Sequence, residues 1–181
     1  MRHALTLHPD SRCPAITYIE VEAARPGPGK LALRYFMAGA ISKLRLPPAA
    51  APARADELWR RTCFEAFVRA PPSAGYYELN FAPSMQWAAY RFSGYREGMQ
   101  VASELRAPHI EAQANAERLE LQVSLDLPSL SKDEVWRLGL SAVIEETSGR
   151  RSYWALAHPP GKPDFHHSAG FAYELRAAER I

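Results

Sequence analysis

Between Asp56 and Tyr90 the chain concentrates residues able to recognise a polar ligand. They run Leu58-Trp59-Arg60-Arg61-Thr62-Cys63-Phe64-Glu65-Ala66-Phe67-Val68, then Tyr76-Tyr77-Glu78-Leu79-Asn80-Phe81-Ala82-Pro83, then Trp87-Ala88-Ala89-Tyr90. In an extended chain side chains alternate, so Phe64, Ala66 and Val68 share one face while Cys63, Glu65 and Phe67 share the other. The same alternation groups Tyr77, Leu79 and Phe81 and sets Tyr76, Glu78 and Asn80 opposite them. A carboxylate and an amide on adjacent strands, with an aromatic ring beside them, suit a sugar. Its hydroxyls need fixed donors and acceptors, and the C–H face of a pyranose packs on an indole or phenyl ring. The competing use of the same residues makes Trp59 a core anchor and pairs Glu65 with Arg60, Arg61 or Arg91.

A second concentration is His158-Pro159-Pro160-Gly161-Lys162-Pro163-Asp164-Phe165-His166-His167. Three imidazoles and an acid are a possible zinc set. Sequence neighbours such as His166 and His167 point apart in an extended segment, however, which disfavours a shared ion. The loop therefore reads as a cover beside Trp59, with His158 and His166 at the rim. Catalytic signatures are missing: there is no Gly-x-Ser-x-Gly, phosphate-binding or dinucleotide motif. Glu65 and Glu78 could still act as a glycosidase acid pair, since hydrolysis needs two carboxyls flanking one bond. Cys63 has no positioned histidine and reads as a structural thiol. Glu145-Glu146 and Arg150-Arg151 read as an exposed hairpin.

The elements that must position these groups are mostly strands. Leu119–Leu127 alternates aliphatic and polar residues throughout, and further strands are expected at Leu31–Met37, Cys63–Val68, Tyr76–Phe81, Trp87–Phe92, Ile110–Asn115, Leu138–Glu145, Tyr153–Ala157 and Phe171–Leu175. Proline and glycine punctuate them at Arg25–Gly29, Pro47–Pro52 and Pro71–Gly75. Helix is confined to a short stretch at Ala53–Arg61 and a turn opened by the capping box Ser131-Lys132-Asp133-Glu134. Many short strands with few helices predict an all-β, antiparallel sandwich of jelly-roll type, formed as one domain over residues 1–181.

Composition sets outer limits. With 22 Lys+Arg against 20 Asp+Glu the net charge is +2, which argues against a nucleic-acid partner. No apolar run approaches the roughly 20 residues of a membrane-spanning helix, and the N-terminus lacks a secretory h-region, so a soluble, cytoplasmic protein is expected. Two cysteines outside any Cys-x-x-Cys pair fit a reducing compartment, while a Cys13–Cys63 disulfide stays open. The oligomeric state is not readable.

Trp59 with Glu65-Ala66-Phe67 and the strand Tyr76–Phe81 resembles the Trp…Glu-x-Phe motif of family 9 carbohydrate-binding modules. The wider set, including Asn80-Phe81-Ala82-Pro83, Trp87-Ala88-Ala89-Tyr90 and Tyr153-Trp154-Ala155-Leu156-Ala157-His158, resembles bacterial DOMON-like proteins of that superfamily from about Leu31 to Leu175. The resemblance implies a noncatalytic domain that binds a saccharide or sugar conjugate in a slot between two aromatic walls. Trp59 and Glu65 match the first wall and the acid, and Asn80 matches an asparagine. The second wall falls at Phe165 in place of an indole, and the family's strand arginine appears as Glu78. Some domains of this kind hold haem between a methionine and a histidine, for which Met37, Met85, Met99 and the loop histidines are available. No cofactor is expected; haem or a divalent metal is the minor alternative.

Overall fold

The computed structural model describes residues 1–130 and 135–177. The capping box at Ser131–Glu134 lies outside the described residues. Twelve strands follow one another in the chain: β1 Arg2–Leu7, β2 Ile16–Ala24, β3 Lys30–Gly39, β4 Cys63–Arg69, β5 Tyr76–Phe81, β6 Trp87–Phe92, β7 Gln100–Val101, β8 His109–Ala114, β9 Arg118–Asp126, β10 Trp136–Glu145, β11 Arg151–Ala155 and β12 Tyr173–Leu175. The expected strands are all present, with ends moved by a few residues. β1, β2 and the two-residue β7 are additions. Helical structure among the described residues is limited to three 3-10 turns, at Ile41–Lys43, Leu58–Arg60 and Ser168–Gly170. The helix expected at Ala53–Arg61 shortens to the second of these.

All strand pairings are antiparallel, in the order β7-β6-β5-β4-β10-β11-β1-β2-β3-β9-β8, with β12 beside the start of β10. The fold turns on β1. Its residues Arg2–Leu5 pair with β2, whereas Thr6 and Leu7 pair with β11, so one strand passes from the first sheet to the second. The sheets close over a core of alternate side chains: Ile19, Val21, Leu31, Leu33, Tyr35 and Leu121 from one, and Phe64, Ala66, Val68, Leu79, Phe81 and Leu140 from the other. Tyr35 joins the layers twice. Its ring lies 5.0 Å from that of Phe64, and its hydroxyl donates to the Glu65 carbonyl at 2.8 Å. This is the antiparallel β-sandwich that the alternation predicted.

β4 and β5 are buried on both faces, unlike the half-exposed β9. Their second face carries its own apolar cluster of Phe67, Tyr76, Tyr90, Phe92 and Phe171, with Leu58 and Phe165 packed against it. The connections around Leu58 and Phe165 therefore cover the outer face of the second sheet. The Glu145–Arg151 hairpin also departs from expectation. Glu145 is buried because the Arg45 and Arg61 guanidiniums both reach its Oε1 at 3.0 Å. Both cysteines are buried and free.

Candidate functional site

A cleft of about 710 Å³ opens on that outer face. Its floor is the β4–β5 pair, where Glu65, Phe67 and Glu78 share one side of the sheet as alternation requires. The register sets Glu65 opposite Asn80 and Phe67 opposite Glu78, so the two acids are diagonal neighbours, a spacing of about 7–8 Å between positions. Trp59 and Phe165 line the cleft from opposite connections, and Tyr90, Phe92 and Tyr153 add further rings. Met99 and Val101, both more than half exposed, complete the rim.

Trp59 is 43% exposed and so is not a core anchor. It rides on the 3-10 turn Leu58–Arg60, which is entered through a left-handed Glu57 at φ 59°. The arginines proposed as partners of Glu65 are engaged elsewhere: Arg60 pairs with Glu57, Arg61 with Glu145 and Arg91 with Glu104. Glu65 is left with a buried Oε1 that has no hydrogen-bond partner among the described residues. That oxygen is the principal polar vacancy on the floor. Burial, and secondarily the adjacent Glu78, push the Glu65 carboxyl well above the usual carboxylate range. Glu78 is also raised by burial, but less freely, because Asn80 Nδ2 donates to its Oε1 at 2.8 Å and Arg96 lies nearby. Two carboxyls sharing one dry site do not both ionise. Of the two, Glu65 is the more reluctant to ionise, because it is the more deeply buried and lacks the Asn80 donor that Glu78 has.

His166 closes the floor from above. Its Nδ1 meets the Tyr76 hydroxyl at 2.8 Å, and its Nε2 lies 3.6 Å from Glu78 Oε2. The Tyr76 oxygen already accepts from the Arg96 backbone N–H, so its own proton is directed to Nδ1. The Nε2–H tautomer then faces Glu78. Burial, followed by the Arg96 charge, lowers His166 to about 4, so the ring is neutral near pH 7.

The loop that bears Phe165 and His166 is held by Asp164. Its carboxylate accepts from the Tyr95 hydroxyl, from Arg96 Nη2 at 2.8 Å and from the His166 backbone N–H at 3.1 Å. Burial works against the Asp164 charge, yet the Tyr95 and Arg96 donors outweigh it and hold the carboxyl below its usual range. The opposing loop reaches this geometry through backbone choices. Arg96 is left-handed at φ 56°, and Gly98, at φ 60°, could not carry a Cβ, which would lie 2.3 Å from Ser93 Oγ.

Of the expected contacts, Trp59, Glu65, Glu78, Phe165 and His166 come together in the cleft. Asn80 and His158 take different places. Asn80 is fully buried beside the acids, outside the cleft lining, where its Nδ2 donates to Glu78 Oε1. His158 Nε2 bonds the Thr6 carbonyl at 2.8 Å and its ring packs edge-on against His8, which anchors the loop to β1. Tyr90, Tyr153 and Met99, which the sequence placed in motifs or offered to haem without assigning them to a saccharide, also line the cleft, and Arg96 is new. The local signal for Arg96 is the glycine-flanked turn Gly94-Tyr95-Arg96-Glu97-Gly98.

The loop histidines disperse. His167 Nδ1 accepts from the Ala169 backbone N–H, and among the described residues no three His, Cys, Asp or Glu side chains form a metal-holding group. The methionines offered to haem are also spread out. Met37 is in the core, Met85 packs against that core, and Met99 shares the cleft with a His166 whose ring nitrogens face Tyr76 and Glu78.

No protein-family model and no curated protein matches the sequence. Solved structures match the fold along almost the whole chain. A candidate carbohydrate-binding protein from Bacteroides uniformis superposes with a TM-score of 0.70 at 16% identity, covering 98% of this chain and 86% of its own. A family 9 carbohydrate-binding module from Caldicellulosiruptor kristjanssonii, in complex with cellotriose, gives 0.60 at 9% identity, covering 100% and 84%. A family 9 module from the same organism in complex with glucose gives 0.54 at 7%, covering 98% and 86%. The chain has the fold of carbohydrate-binding modules.

Proposed function

We propose that this protein binds the end of a small saccharide or sugar conjugate, without cleaving it, in the cleft between Trp59 and Phe165. The observation that carries the proposal is a solvent-facing indole in the same cleft as a buried carboxyl whose Oε1 has no partner among the described residues. The apolar rings suit the C–H face of a sugar, and Glu65 and Glu78 suit its hydroxyls. The fold shared with modules bound to cellotriose and glucose supports the same ligand class.

Thermal shift against glucose, cellobiose and a sugar nucleotide tests this, with Trp59→Ala as the control. A ligand at about 100 times its Kd stabilises by about 2.7 kcal/mol, a rise of several degrees in a chain of this size. The shift should vanish in Trp59→Ala, compared against that variant's own ligand-free Tm. A flat panel with folded protein overturns the proposal.

The unequal carboxyl pair favours a second reading, hydrolysis of a glycoside with protonated Glu65 as acid and ionised Glu78 as its partner. Wild-type turnover of aryl glycosides that is lost in Glu65→Gln with binding retained would establish it.

A further inference from the structure

We propose that the saccharide bound here is an amino sugar, with its ammonium group seated between Glu65 and Glu78, an inference that rests on the saccharide binding proposed above. The charge lining the cleft is one-sided. Asp56, Glu57, Glu65 and Glu78 line it, Glu57 paired with Arg60 and Asp56 accepting from the Tyr90 hydroxyl, and the one cationic side chain among the described lining residues, Arg96, already serves Asp164. His166 is neutral and offers only an Nε2–H.

The floor holds buried oxygens without partners among the described residues. Glu65 is 3% exposed with an unpartnered Oε1, and in register on either side of it lie Ser141 and Asn80, whose Oγ and Oδ1 are also buried without partners. In the cleft itself the open acceptors are the carboxyl oxygens of Glu65 and Glu78, which suit a group with several N–H donors. A neutral hydroxyl supplies one donor and brings no charge to offset two buried carboxyls. An ammonium supplies three donors and a charge that lets both acids ionise, with the Glu65 proton released to solvent. The rings of Trp59, Phe67, Tyr90 and Phe165 line the same cleft, and aromatic rings both attract a cation and pack on a sugar's C–H face.

Calorimetric titration of the intact protein at pH 6.5 with D-glucosamine, N-acetyl-D-glucosamine, D-glucose and choline tests this. Glucosamine should bind at least tenfold tighter than the acetylated and neutral sugars. Its heat should change with the ionisation enthalpy of the buffer, as proton release requires, and the preference should disappear in Glu65→Gln and Glu78→Gln. Equal binding of glucose and glucosamine overturns the amine assignment and leaves the saccharide reading standing. Choline binding as tight as glucosamine overturns the sugar part in favour of a general ammonium site. No binding of any sugar by the folded wild type overturns both. The wild-type comparison decides even where a variant fails to fold.

Discussion

Replacing Glu65 by glutamine should stabilise the protein, and more so as the pH rises. The folded chain holds the Glu65 proton because burial and the adjacent Glu78 raise its carboxyl, whereas in the unfolded chain the group ionises near about pH 4.3. Between those two values the native state binds one more proton than the unfolded state. The Glu65 contribution is therefore fully present below about pH 4.3 and is lost as pH rises toward the folded value. One proton gives a slope of about 1.4 kcal/mol per pH unit, or about 3–6 °C in Tm for a domain of this size. Glutamine keeps the shape and cannot ionise, so the Tm difference between variant and wild type should widen by that amount per unit. Differential scanning calorimetry of both proteins from pH 4.5 to 8 measures it. Taking the difference matters because His166 works in the opposite direction between about pH 4 and 6.5. Parallel curves across the range would show that Glu65 is not a protonated, unpaired acid in the native state, and the account of the cleft floor would fail with it.

His166→Gln should reduce the loss of stability in acid. With the ring lowered to about 4 by burial and Arg96, the unfolded state takes up the proton first, so stability present above about pH 6.5 declines as pH falls toward 4; acid melting curves of the two proteins check this. Tyr35→Phe removes the hydroxyl that bonds the Glu65 carbonyl across the two sheets and should cost about 0.5–1.5 kcal/mol, since that oxygen keeps its place in the β4 ladder, measured by urea denaturation. Arg45→Ala and Arg61→Ala should each be mild because the other guanidinium still serves buried Glu145, whereas the double variant should lose about 3–5 kcal/mol, a non-additivity visible in a double-mutant cycle. Asp164→Ala should release the loop that carries Phe165 and His166, seen as faster amide exchange over residues 158–167 with the sheet unchanged.

What could be read without the structure was local. A backbone with a side-chain period of two assigns Phe64, Ala66 and Val68 to one face and Glu65 and Phe67 to the other, and the folded chain keeps that division. Where the period breaks, the strand is hidden. β2 carries a register shift between Ile16 and Tyr18, so its buried positions step from Ile16 to Ile19 and then Val21, and β1 is a short strand divided between two sheets. Trp59 with Glu65 was legible because six residues separate them along one turn and strand. Arg96 and Asp164 meet across 68 residues, and only closure of the sandwich brings them together to hold Phe165 and His166 over the acids. The same closure decided that His158 faces Thr6. A residue type announces what it can bond, but its partner is chosen by whichever distant element covers it, and burial then determines which acid keeps its proton.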